Sequence, residues 1–163
     1  MTTAGATLGG TIAAEGFADF YARTFGDLAG YGWHLAGDPD VGDELAQEAL
    51  TRVCARWGTL REPRPYAYRV VTNLARDRWR VAARERDLLA ALEPAPHIAG
   101  PDQTTLDAVR RLPHHLRDVV LLHYFADLPV EEVARALRRP SGTVKRRLFD
   151  ARTALAASLE DPR

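Results

Sequence analysis

The chain has 163 residues, 46% of them hydrophobic, and its 22 Lys and Arg balance 22 Asp and Glu. That length holds one domain or two small ones, and halves below ~80 residues have modest cores that depend on their interfaces. No run approaches the ~18 apolar residues of a membrane span. The opening MTTAGATLGGTIAAE also lacks the basic and long apolar segments of an export signal, so the expectation is a cytoplasmic protein without a membrane anchor.

Residues 1–14 are small and polar and read as a flexible tail. From Glu15, the residues Phe17, Phe20, Tyr21, Phe25 and Leu28 recur at helical spacing on one stripe. GDPD at 37–40 reads as a turn leading into an acidic first turn of helix, as the helix dipole favours. The helix that follows places Leu45, Ala49, Val53 and Trp57 on one inward face. Cys54, the only cysteine, excludes an internal disulfide and reads as a small buried hydrophobe beside Val53. GTLREPRP breaks this helix.

A third helix is expected from about Tyr66 to Leu92, with Tyr66, Val70, Leu74 and Val81 inward. EPAPHIAGPDQ at 93–103 is the clearest linker. Four short helices follow, at about 103–111, 113–126, 129–138 and 141–158. No segment alternates as a strand does. The expected fold is all-α, with one small helical domain over 15–92, another over 104–158, and a tail at 159–163.

The zero net charge hides blocks. Residues 1–50 hold eight acids and one base, Arg23, whereas residues 64–86 hold seven arginines against Asp77 and Glu85. RRPSGTVKRRLFDAR at 138–152 holds six bases and one acid. Such alternation predicts one acidic docking surface and two basic ones.

PVEEVARALRRPSGTVKRRLFDARTAL has the layout of a helix-turn-helix. Val130, Val133, Ala134 and Leu137 make the packing stripe of its first helix, and Val144, Leu148, Ala151 and Leu155 that of its second. Thr143, Arg146, Asp150 and Thr153 then lie on the opposite face, flanked by Lys145, Arg147 and Arg152. An exposed face with outward arginines suits the major groove, where base edges accept hydrogen bonds between flanking phosphates.

Four blocks in order, GDPDVGDELAQEAL, RPYAYRVVTNLARDR, LPHHLRDVVLLHYFADLPVEEVA and SGTVKRRL, carry a resemblance to the extracytoplasmic-function group of the sigma-70 family of bacterial transcription initiation factors. The resemblance covers about residues 15–90 and 104–158. It implies a region 2 domain and a region 4 domain, each all-helical. It further implies a promoter-specificity subunit, not an enzyme, with RNA polymerase core (clamp helices and flap) and promoter DNA as partners. An anti-sigma factor is compatible with it, and no cofactor is implied.

By that resemblance Asp43, Glu44, Leu45, Gln47 and Glu48 dock on core polymerase, and a carboxylate-rich face suits a basic helical pair. Arg64, Tyr66, Tyr68, Arg69, Asn73, Arg76 and Arg80 serve the −10 element. Independently of the family, Trp57, Tyr66, Tyr68 and Trp79 offer ring faces to unstacked bases, Arg78 and the other arginines neutralise phosphates, and Asn73 suits a base edge. Core packing is the competing reading, favoured for Trp79 and disfavoured for Tyr66. Ser141, Thr143, Lys145, Arg146, Arg147, Phe149, Asp150 and Arg152 serve the −35 element.

Three departures stand out. Tyr66 replaces the family's usual Trp. Arg138 and Arg139 replace a Gly and an apolar residue, at a cost of about 1 kcal/mol for a left-handed turn without Gly. Asp150 replaces a common base, and its carboxylate repels phosphate but suits either a cytosine amino group or the orienting of Arg146 or Arg147.

Gly5 and Gly10 have P-loop spacing, but Thr11 stands where the lysine is needed. The histidines at 34, 97, 114, 115 and 123 lack partners at metal-ligand spacing. Two rival readings exist. A stand-alone helix-turn-helix regulator predicts duplex binding without polymerase, and a helical adaptor predicts no DNA activity.

Overall fold

The computed structural model describes residues 16–89 and 104–160, and every regular element among them is helical. The 1–14 tail and the 93–103 linker lie outside the described residues, as do the last three of the C-terminal tail. Helix α1 spans Phe17–Ala36 and closes on Gly37, whose φ of 79° lets its N–H reach the Trp33 carbonyl at 2.7 Å. Helix α2, Pro39–Ala55, opens on Asp38, whose carboxylate accepts from the Asp40 and Val41 amides at 2.8 and 3.3 Å. Proline at its first position has no N–H to lose. The two helices cross so closely that a Cβ at Gly42 would lie 2.5 Å from the Ala29 carbonyl oxygen.

Helix α3, Pro63–Leu89, starts three residues earlier than the sequence predicts, because Pro63 and Pro65 both sit within its first turn. Its first half closes the N-terminal core, in which Leu28, Leu50, Val53, Ala67, Tyr68 and Val71 are wholly buried. Its second half runs beyond that core. Val81 is therefore 53% exposed, correcting its inward assignment. Two further corrections concern register. Tyr21 is exposed and stacks on Phe25 at 5.5 Å, and Cys54, one position round from buried Val53, faces solvent.

The C-terminal half comprises α4 (Thr104–Arg111), α5 (His114–Val120), α6 (Val130–Leu137) and α7 (Ser141–Glu160). Residues Leu121–Phe125 continue α5 as one π-helical turn, with Ala126 donating to the Leu121 carbonyl. Val109, Val119, Leu121, Leu122, Leu128, Val133, Val144, Leu148 and Ala151 are buried here, and Ala136 joins them outside the predicted stripe. One continuous apolar cluster includes residues of both halves. The halves also meet through charge and aromatic contacts, which bear directly on the candidate sites.

Candidate nucleic-acid interface

Helix α7 buries Val144, Leu148 and Ala151, which turns the predicted recognition face outward. Lys145, Arg146, Phe149, Asp150 and Arg152 are exposed, while Ser141, Thr143 and Arg147 are half-buried at its margins. Phe149 is 65% exposed, an apolar ring on a polar face and suited to a thymine methyl. Arg152 is held in place, its Nη1 donating to the Tyr124 hydroxyl at 3.0 Å. Tyr124 lies in the π-helical turn, so that irregularity positions a side chain of the recognition helix.

The turn before α7 keeps its left-handed form without glycine. Arg138 has φ 50°, and the Arg139 amide reaches back to the Ala134 carbonyl at 2.9 Å. Arginine tolerates that conformation at a cost of about 1 kcal/mol. His114 and His115 are solvated at the start of α5.

On α3 the predicted −10 residues divide. Tyr66 is half-buried between two guanidinium groups, Arg69 at 5.0 Å and Arg56 at 5.7 Å from its ring centroid. Burial, and then the positive charges of Arg138 and Arg56, push the Arg69 pKa down, and Tyr66 opposes that shift. Asn73 is exposed beside them, and these residues line a cavity of about 340 Å3 with Arg52, Arg76 and Arg138. Five arginines and one aromatic ring line this cavity, two of the guanidinium groups against the ring itself, a chemistry that suits phosphates and a stacked base. Arg56 and Arg138 were not assigned from sequence. Arg56 stands ten residues before Tyr66, across a helix break, and only folding brings the two together.

Tyr68 is not part of this surface. It is wholly buried, its ring meets Tyr31 edge-on at 5.3 Å, and burial pushes its hydroxyl up to about 12. Its assignment to −10 stacking is corrected, because two residues along α3 from Tyr66 turns a side chain about 200° away. Trp57 likewise packs into the core edge against Phe17 and Phe20, at 5.5 and 5.2 Å. Trp79, read from sequence as core, is 42% exposed. Its indole donates to the Leu35 carbonyl, and Arg117 covers its face at 4.7 Å.

The basic face of α3 is largely occupied from within the chain. Arg76 pairs with buried Asp118, Arg64 with Glu132 at 3.0 Å, and Arg80 with Asp77 at 3.6 Å. On α2, Asp43, Glu44, Gln47 and Glu48 are exposed, with Glu44 bonded to Arg78 and Glu48 to Arg52. Leu45 is 3% exposed and belongs to the core, so it cannot itself touch a partner there and supports the face from below.

Among the described residues no group of three or more His, Cys, Asp or Glu could hold a metal ion, and no helix is long and apolar enough to cross a membrane. An exposed recognition helix, joined to a second helical domain with an arginine-aromatic face, defines a two-domain nucleic-acid-binding protein. Comparison with known proteins gives the family. Residues 20–85 match sigma-70 region 2 and residues 103–155 match sigma-70 region 4. RNA polymerase sigma-E factor of Streptomyces coelicolor is 31% identical over 148 residues, covering 85% of this chain and 84% of that one. The ECF RNA polymerase sigma factor SigW of Bacillus subtilis is 26% identical over 151 residues, covering 79% and 81%.

The fold is shared with sigma factor RpoE of Bartonella quintana, solved with the anti-sigma factor NepR (TM-score 0.71, 19% identity, 90% of this chain and 98% of that one). It is shared too with CnrH, solved with the cytosolic domain of CnrY (TM-score 0.68, 22% identity, 94% and 95% covered). The chain belongs to the extracytoplasmic-function group of the sigma-70 family, and functions as an RNA polymerase sigma factor acting on promoter DNA.

Proposed function

We propose that the three charged surfaces divide the work of initiation. The α2 face of Asp43, Glu44, Gln47 and Glu48 docks on the clamp helices of core polymerase, where carboxylates meet cations. The cavity around Tyr66 receives an unpaired base of the −10 element. Tyr66 stacks on that base, Asn73 reads its edge, and Arg69, Arg76 and Arg64 neutralise the flanking phosphates. Helix α7 lies in the major groove of the −35 element, with Arg146, Asp150 and Phe149 toward bases and Lys145, Arg147 and Arg152 toward phosphates. Region 2 then spans 15–92 and region 4 spans 104–158, with the 93–103 segment bridging the two elements. The protein works in the cytoplasm and brings no catalytic step of its own. An anti-sigma factor, the class of partner held by the Bartonella quintana protein, is its means of control.

The observation that carries this reading is the grouping of Tyr66, Asn73 and the arginines on one half-buried face, with the aromatic ring clasped rather than packed away. In vitro transcription with purified core, with and without the chain, tests it together with footprints of the reconstituted holoenzyme. Protection should appear at both elements only when core is present. Footprints from the chain alone would favour a stand-alone regulator.

A further inference from the structure

A second cavity, of about 480 Å3, opens further along α3 where that helix meets α5, the turn at Arg139 and α7. Its size falls within the range of small-molecule sites, roughly 300–1,000 Å3. Its lining is of two kinds. Leu35, Ala75, Trp79 and Leu137 are apolar, whereas Arg76, Arg80, Arg117, Arg139 and Arg147 carry charge. Exposed His114 and His115 line it as well.

Counting partners shows which of these charges are spare. Arg76 is balanced by Asp118, and Arg80 by Asp77 at 3.6 Å. Among the described residues no carboxylate pairs with Arg117, Arg139 or Arg147, so the lining keeps an excess of positive charge. Arg117 is the sharpest case, because it is only 6% exposed. Its Nη1 reaches the Arg110 carbonyl at 3.4 Å, its guanidinium lies 4.7 Å from the Trp79 ring centroid, and its Nε has no hydrogen-bond partner. The Arg76 Nε is without one too. A buried cation with an unused donor is costly until an anion meets it. None of the roles in initiation proposed above uses Arg117 or Arg139.

We propose that this cavity is a binding site for a nucleoside polyphosphate. Its phosphates meet Arg117, Arg139 and Arg147, and its base lies against Trp79, Leu35 and Leu137. A guanidinium fork matches two phosphate oxygens at once, and three of them without carboxylates call for a ligand with several negative charges. The apolar lining gives nothing to a bare ion, but it suits the ring of a base. Trp79 remains 42% exposed with Arg117 on it, which leaves indole surface for that ring. The ligand touches both halves of the chain, so it is held only while they are packed together.

Isothermal titration of the full chain with ATP tests the site, in about 0.15 M salt so that loose surface contacts with phosphate are screened. One ATP should bind per chain, and inorganic triphosphate should bind about fivefold more weakly for want of a stacked base. Arg139→Gln removes an exposed side chain, and an unchanged melting profile verifies its folding. It should weaken ATP about tenfold, the scale of one charge-assisted hydrogen bond. Arg138→Gln removes the same charge one residue away, where the side chain lines the other cavity, and should leave ATP affinity nearly unchanged. Absence of saturable binding overturns the site, and equal losses in the two variants reduce it to diffuse charge. Triphosphate binding as tightly as ATP would remove the base from the proposal. A single-stranded thymidine oligomer that loses as much affinity as ATP in Arg139→Gln would make the cavity a stretch of DNA surface and overturn it as well.

Discussion

Region 4 holds its recognition helix out to solvent, and among the described residues no carboxylate pairs with Lys145, Arg146 or Arg147. Region 2 holds its basic face under region 4, with Arg64 and Arg76 on acids from α6 and α5. The same residue chemistry is therefore ready in one half and engaged in the other. On the proposed assignments, the difference follows from substrate. Duplex DNA presents its groove to a rigid helix face, whereas an unpaired base rewards a stacking ring only after the strands separate. A preformed reader suits the first, and a face uncovered late suits the second.

Five experiments break or sharpen that contrast, from the largest expected effect to the smallest. Tyr68→Ala removes a wholly buried ring and should cost region 2 about 3–5 kcal/mol of stability, read by denaturant unfolding. A change in DNA binding with full stability would return Tyr68 to the interface. Reversing Asp43 and Glu44 to lysine should weaken core polymerase binding by about 2–5 kcal/mol, since like charges would then face each other across the contact. Co-purification with core at parental levels would sink that surface.

Tyr66→Ala should lower open-complex formation by about 1–3 kcal/mol while sparing closed-promoter binding. Permanganate reactivity of unpaired thymines reports the first stage and gel shift the second, and equal losses would mean that Tyr66 is packing only. In region 4, Arg146→Ala should relax preference at one −35 position by about 1–3 kcal/mol. Lys145→Ala should weaken all sequences alike and lower the salt slope by about one charge. Binding a randomised −35 library separates these outcomes, and identical sequence logos would show that α7 meets DNA on another face.

The smallest effect concerns pH at the seam between the regions. His34 stacks beside Trp33 and meets Phe125 of the π-helical turn at 4.8 Å. Burial first, and the positive charge of Arg110 second, push its pKa down. A histidine with a lowered folded pKa binds fewer protons folded than unfolded, so its share of stability is intact above about pH 6.5 and is lost as pH falls through the window below it. Melting temperature should therefore decline across that window, and His34→Gln should flatten the decline. An unchanged slope in the variant would assign the effect to another group.

Much of this molecule is legible in the chain itself, because helical period and charge order are local properties. The inward residues of α2 and α7, the outward turn of Arg146 and Asp150, and the acidic face of Asp43 and Glu48 all follow from counting along a 3.6-residue helix. The left-handed turn at Arg138 is foreseeable too, since the helix-turn-helix needs one there whichever residue supplies it. Counting failed where a helix outruns its core, as at Val81, and where neighbouring aromatics had to be told apart, as at Tyr66 and Tyr68. Which of those rings is covered depends on what α1 places opposite, and in this fold Tyr31 stands against Tyr68. The contacts between the two halves lie further still beyond sequence. Asp118 and Glu132 sit 42 and 68 residues from the arginines they engage. Nothing in local composition marks either acid as a partner for those cations. Their pairing is decided only when two separately built helical units meet, because an ion pair needs proximity in space and a helix period records only proximity along the chain.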